Sequence, residues 1–380
     1  MKNTVVITLT LLAATSAFAR PRWTPQQAND WYQHQPWLVG SNYVPKDAIN
    51  QLEMWQADTF DPAEIDRELG WAQSLGMNTM RVFLHDLVWQ QDPPGFRKRI
   101  DQFLTICAKH HIRPLFVLFD SVWDPNPKLG PQHAPVPGVH NSGWVQSPGV
   151  AVLRDKSQYP RLKAYVTGVV GAFASDPRVL GWDVWNEPDN INDGSYNDPK
   201  DKRKYVRKLL PMVFEWARSA NPTQPLTAGV WDGSPQEYAD PHQWKPIEGI
   251  ELKQSDIISF HNYSKPESFQ ADVTALQKLH RPVLCTEFMA RPRGSTFEAI
   301  LPVAKKDHVA AINWGFVAGK TQTNLPWDSW QHPYVKQQPP VWFHEIFYPD
   351  GHPYSEREVE LIRSLTGVSQ EQPPENASSR

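Results

Sequence analysis

From about residue 37 to residue 365, short runs of β-branched and aromatic residues alternate with longer stretches whose apolar positions recur at helical spacing. That alternation predicts βα units around a parallel sheet. The expected strands are Trp37 to Tyr43, Asn78 to His85, Arg113 to Asp120 and Val179 to Trp185, then Pro225 to Trp231, Asp256 to Tyr263, Pro282 to Phe288 and Ala310 to Phe316. Asp61 opens a helix, with Pro62 in its first turn and Glu64 three residues past the cap, and Gly76 ends it. Further helices are expected from about Phe96 to His111, Tyr159 to Ala174, Lys200 to Ala220, Glu267 to His280, Thr296 to Asp307 and Ser355 to Leu365. The stretch from Gly233 to Gln254 has no clear period. Eight strands, each followed by a loop and usually a helix, make a single (β/α)8 TIM barrel with long βα loops after strands 3 and 8. A doubly wound sheet would want a Gly-rich turn after its first strand, and the sequence has none there.

The two ends of the chain set limits on this barrel. Lys2, the apolar run from Val5 to Ala14 and the small-x-small triplet Ala17-Phe18-Ala19 read as an export signal over 1–19. The barrel domain then occupies 20–368, and the polar segment 369–380 is an expected disordered tail. No later segment is long and apolar enough to span a membrane, so the expectation is a secreted or periplasmic monomer with no membrane association after signal removal. The net charge of −3 carries no basic stripe for nucleic acid. Cys107 and Cys285 fall on an outer helix and an inner strand, so no bridge is expected. The 17 Trp residues fit either a large packed core or a groove floored by indoles.

In a barrel of this kind chemistry sits where strands end. Strand four ends in Trp185-Asn186-Glu187-Pro188, and the proline stops the strand and holds Glu187 at the rim. Strand seven, Pro282-Val283-Leu284-Cys285-Thr286-Glu287-Phe288, is apolar until it delivers a carboxylate at the matching place. Either glutamate alone would read as a solvated strand terminator. Together they face each other across a closed barrel, and two carboxylates across a cleft are what glycoside cleavage requires.

With these residues the chain resembles the clan A glycoside hydrolases, and among them family 5, the cellulase and mannanase-like enzymes. The resemblance is carried by Arg81 in Asn78-Thr79-Met80-Arg81-Val82-Phe83, by Asn186-Glu187-Pro188, by His261-Asn262-Tyr263, by Glu287 and by Trp314. It implies Glu187 as general acid/base with a raised pKa and Glu287 as nucleophile, kept ionised beside Arg81. It further implies that Tyr263 donates to Glu287, Asn186 binds the sugar 2-hydroxyl, His261 bonds near the acid/base, and Trp314 stacks under the sugar. A buried ion pair at Arg81, a satisfied core histidine at 261 and simple packing at Trp314 remain the plainer alternatives.

The sequence departs from the common family pattern at Phe119-Asp120-Ser121-Val122-Trp123, which lacks a His shortly after the Asp. His85, ahead of Asp86, is a candidate polar group nearby. Trp89, Trp123, Trp144, Trp231, Trp327 and Trp330 fall in segments after strands and are candidates to line subsites. His133, His140, His332, His344 and His352 lack tight metal-ligand spacing, so neither metal nor cofactor is expected. The Asn262-Tyr263-Ser264 sequon is discounted at a strand end. The resulting expectation is a retaining hydrolase of β-linked polysaccharide or oligosaccharide of β-glucan, mannan or xylan type, with endo or exo action open. A transglycosylase on the same scaffold and an inactive carbohydrate-binding barrel are the alternatives.

Overall fold

A computed structural model describes residues 19–192 and 194–368. The export signal, apart from Ala19, and the tail over 369–380 lie outside the described residues. Among the described residues the strands are β1 (Val39–Tyr43), β2 (Thr79–Phe83), β3 (Arg113–Val117), β4 (Gly181–Asp183), β5 (Leu226–Thr227), β6 (Ile258–His261), β7 (Val283–Glu287) and β8 (Ala310–Asn313). They run parallel in the order β5-β4-β3-β2-β1-β8-β7-β6. The seam between β5 and β6 is joined by a parallel bridge at Val230 and Phe260, where Val230 N donates to Ser259 O at 3.1 Å and His261 N to Val230 O at 2.9 Å. The fold is the expected (β/α)8 barrel.

The helices, in chain order, are α1 (Pro25–Gln33), α2 (Gln51–Trp55), α3 (Pro62–Ser74), α4 (Asp86–Gln91), α5 (Pro93–Lys109), α6 (Val150–Arg154) and α7 (Tyr159–Ala172). They continue with α8 (Lys202–Ser219), α9 (Pro235–Ala239), α10 (Pro246–Gln254), α11 (Pro266–Gln277), α12 (Phe297–Lys306) and α13 (Glu356–Thr366). Asp61 caps α3 as its sequence predicts, accepting from the amides of Ala63 and Glu64. The unassigned stretch after β5 holds α9 and α10. At five residues, α2, α6 and α9 are too short for a 3.6-residue period to be read from sequence.

The floor of the barrel is a compact apolar plug of Leu38, Leu115, Leu180, Ile257, Leu284 and Ile312. Helix α1, not foreseen from the sequence, closes that end by packing Ala28, Trp31 and Tyr32 against the plug. A capping box between Thr24 and Gln27 starts it, with Pro25 in its first turn. Cys107 lies in α5 and Cys285 in β7, both buried and free. Among the described residues, no helix is long and apolar enough to cross a membrane.

Candidate active site

The site forms where strand regularity stops. β6 pairs with β7 through Phe260 and Cys285, then slips by one residue so that His261 meets Glu287. A bulge of this kind re-aims the side chain beyond it, and here it brings an imidazole beside a carboxylate. β4 leaves the regular ladder after Asp183, but Asn186 N still donates to Phe119 O at 2.8 Å. That bond carries the chain to Glu187, whose φ of +41° is unusual for a residue with a Cβ. Trp123 (φ 70°), Asn141 (φ 48°) and Met289 (φ 87°) share the left-handed region. Residues held this way persist only where their surroundings over-determine them, and they gather at functional sites.

Arg81, fully buried, ties the two sides together. It donates to Glu287 Oε1 at 2.8 Å, to Asn42 Oδ1 at 2.9 Å and to Asn186 Oδ1 at 2.8 Å, and its Nε and Nη2 both reach Asp183 Oδ2, at 3.0 and 2.8 Å. Tyr263 donates its hydroxyl to Glu287 Oε2 at 2.7 Å. His261 Nδ1 lies 2.8 Å from Glu187 Oε1 and 3.5 Å from Glu287 Oε2. Asn190 donates to Glu187 Oε2 at 2.5 Å. One donor atom each from Glu187, His261 and Glu287 lie within 4.8 Å of one another. That spacing would also suit a cation, but Arg81 already supplies positive charge to Glu287.

The carboxylates differ in their surroundings. Burial pushes Glu187 up to about 7, against the Asn190 hydrogen bond and the more distant Arg81. Burial raises Glu287 too, as does the neighbouring Glu187, but Arg81 and the Tyr263 hydroxyl pull it back. Direct contact with a guanidinium favours the ionised form of Glu287, and Glu187 has no such contact. Burial lowers His261 to about 4, so it is neutral near pH 7. Asp120 is raised to about 6 by burial, while taking hydrogen bonds from Asn186 (3.0 Å), Trp144 (2.6 Å) and Val122 N (3.0 Å).

Above the pair lies a cavity of about 240 Å³ lined by Asn186, Glu187, Tyr263, Glu287, Trp314, Trp123, Trp144, Trp231 and Trp327. Arg81 and His261 do not line it but contact the glutamates that do. His85 is elsewhere. Its ring caps α4, accepting from Leu87 N, and meets Gln146 O at 3.1 Å, so the polar group expected from it near the sugar is used up in structure. Trp89 packs on Tyr165, away from the cavity, while Trp330 stacks on Trp123 at 5.6 Å. The amide of Asn262 is buried and donates to Asp272 at 2.6 Å. The sequence reading did not single out Asn141, Asn190 or Asn192 as lining residues, and it named His140 and His344 only as metal candidates. All five face the cavity. For His140, Asn141 and His344 the only local signal was the unusual length of the loops after strands 3 and 8, and Asn190 and Asn192 had none.

No model of a known protein family matches this sequence, and no curated protein does. Solved structures do. The exo-β-1,4-mannosidase Op5Man5 from Opitutaceae bacterium strain TAV5 superposes with a TM-score of 0.56 at 20% identity, over 87% of this chain and 60% of its own. This chain thus spans less than two thirds of that enzyme. A GH5_18 protein from Streptomyces cattleya, solved with GlcNAc, gives 0.57 at 15% identity, over 88% of this chain and 81% of its own. A β-1,4-mannanase from the common sea hare Aplysia kurodai gives 0.51 at 16% identity, over 74% and 88%. What these proteins share with this chain at such identities is the barrel.

Proposed function

We propose that this chain is a retaining β-glycoside hydrolase in which Glu287 attacks the anomeric carbon while Glu187 protonates the departing oxygen. The observation that carries the reading is the carboxylate pair itself. The two glutamates are buried across one cavity, with oxygens within 4.8 Å, one bound to Arg81 and the other raised to about 7. A separation near 5–5.5 Å leaves no room for water between sugar and base, whereas inversion needs roughly 6.5–9.5 Å. In the second half of the reaction Glu187, now ionised, takes a proton from the water that releases the sugar from Glu287. Tyr263 and Arg81 hold the Glu287 oxygens. Asn186, its amide fixed by Arg81 and Asp120, presents to the 2-hydroxyl, and Trp314 supplies a stacking face.

The mannosidase and mannanase neighbours favour a β-mannosyl substrate over glucan or xylan. A leader-like segment ahead of the barrel fits a substrate met outside the cytoplasm. The intact pair, with both members partnered, speaks against a binding-only barrel. The test is proton NMR of fresh reaction with aryl β-mannoside, β-glucoside and β-xyloside. The β-anomer should appear first. First appearance of the α-anomer would overturn the mechanism, and no turnover of any would overturn the hydrolase reading.

A further inference from the structure

The cavity has one open side and one blind end. Around Glu187 its lining is partly exposed at Asn190 and Trp231, and along its walls at Trp123, Tyr263, Trp314 and Trp327. At the other end His140 (1%), Asn141 (0%), Trp144 (2%) and His344 (1%) are sealed from solvent. The seal is a seam between the segments that follow β3 and β8. Asn141 N donates to Thr321 O at 2.7 Å, His140 N to Ser329 Oγ at 2.9 Å and Tyr334 N to Gly138 O at 2.9 Å. Gln322 Nε2 reaches Val136 O and Val139 O at 2.8 and 3.1 Å. A polysaccharide threading the site would have to part these bonds.

Two polar groups in the blind end lack protein partners. Neither amide atom of Asn141 is hydrogen-bonded, and His344 Nε2 is free as well. Buried polar groups without partners are rare in native proteins and costly to keep. The free atom of His344 has a defined character. Its Nδ1 is bound to the Met289 carbonyl and must donate there, and burial keeps the ring neutral, so Nε2 is an acceptor. Asn141 offers two N–H donors and a carbonyl acceptor from a left-handed backbone that asparagine tolerates better than most residues. A sugar hydroxyl, which both donates and accepts, satisfies either.

We propose that Asn141 and His344 form the recognition site for the hydroxyls of a single terminal sugar unit, so that the protein acts from the non-reducing end of its substrate. The polarity follows from the hydrolase reading, on which this inference rests. The leaving group must lie beside the acid Glu187, at the open side. The unit that becomes bound to Glu287 therefore occupies the blind end, with its non-reducing side against the wall.

The experiment has two arms. In the first, native protein acts on reducing-end-labelled β-1,4-linked mannohexaose, cellohexaose and xylohexaose. Stepwise loss of one sugar, with the label on a product one unit shorter, is the expected result. Early release of fragments of two or more units overturns it. The second arm measures binding and does not depend on turnover. A Glu287→Gln protein is titrated calorimetrically with a β-1,4-trioside and with the same trioside carrying a bulky ether on its terminal non-reducing hydroxyl. The free trioside should bind and the blocked one should not. Adding Asn141→Gly, which keeps the backbone conformation accessible, should weaken the free trioside about tenfold, roughly the worth of one well-made hydrogen bond. It should leave unchanged the binding of an analogue lacking the terminal hydroxyls, a pattern that general unfolding would not produce. Equal binding of free and blocked triosides, or no change with Asn141→Gly, overturns the proposal even if hydrolysis is confirmed. Selective binding without turnover would uphold the sugar site and refute the hydrolase reading instead.

Discussion

The two ends of this barrel are built on opposite terms. At the floor, Leu38, Leu115, Leu180, Ile257, Leu284 and Ile312 meet as an apolar plug under α1. At the mouth β2, β4, β6 and β7 deliver Arg81, Asp183, His261 and Glu287, also buried but charged or polar. The floor contributes stability through the area it hides and asks nothing of geometry beyond filling space. The mouth spends stability to hold carboxylates out of water and to keep Trp123, Asn141, Glu187 and Met289 at positive φ. If that contrast is right, changes at the two ends should separate activity from stability cleanly.

The largest expected effect is at the mouth. Glu187→Gln and Glu287→Gln should each lower kcat by at least about 10³-fold if each group takes part in bond making or breaking as proposed. Glu187→Gln should melt at or above the native temperature, because it removes a buried carboxyl raised to about 7, whereas Glu287→Gln should melt lower, because it takes an anionic partner from the buried Arg81. Activity retained by either variant on substrates with ordinary leaving groups would show that the pair has been misread. The floor should behave in reverse. Leu180 is 1% exposed within the plug, and Leu180→Ala should cost about 2–5 kcal/mol in denaturant unfolding. Its kcat, measured well below the melting temperature, should stay within about twofold of native, well short of the changes expected when a catalytic group is removed. A large loss of kcat there would mean that the two ends are mechanically coupled.

What could be read from the sequence divides along the same line. Strand positions and the glutamate pair were legible because an apolar run that ends in a carboxylate is a local pattern, and Pro188 marks where the run must stop. Arg81 and Tyr263 were legible only through their resemblance to a known motif. Helix α1 was missed because its one buried residue, Ala28, leaves almost no apolar stripe to read. His85 looked like a site residue because it follows a strand, yet the same position is the N-cap of a short helix, and the cap took the ring. The blind end was invisible for a different reason. Asn141 and Thr321 meet across 180 residues of sequence, and nothing near either one signals the other.

A second contrast lies within the mouth itself, between Glu287, which has three partners, and Glu345. The Glu345 carboxyl is fully buried and takes one hydrogen bond, from Thr323, while Oε2 has none. Burial raises it to about 8 from an ordinary 4.5. The folded state therefore holds a proton that the unfolded chain releases. The stability this group permits is fully present below pH 4.5, declines as pH rises, and is lost once pH passes 8. Glu345→Gln should accordingly gain on the native protein by about 1.4 kcal/mol per pH unit between pH 5 and 8, then level off. Parallel stability curves for the two proteins across that range would show that Glu345 has partners in solution that leave it ionised.

The smallest effect is the most specific to the acid. Asn190 donates to Glu187 Oε2 and so favours its ionised form. Glu187 at about 7 should set the alkaline limb of kcat/KM, because the group must carry its proton to assist departure. Asn190→Ala removes a stabiliser of the carboxylate, so Glu187 should hold its proton to higher pH and the limb should move upward by about half to one unit, the worth of one neutral hydrogen bond. The same profile measured with a dinitrophenyl glycoside provides the control. That leaving group departs without protonation, so its alkaline limb should be shallow or missing in both proteins. A limb that shifts downward, or one that moves equally for both leaving groups, would mean that the titration belongs to another residue and that the raised carboxyl of Glu187 is not the proton donor.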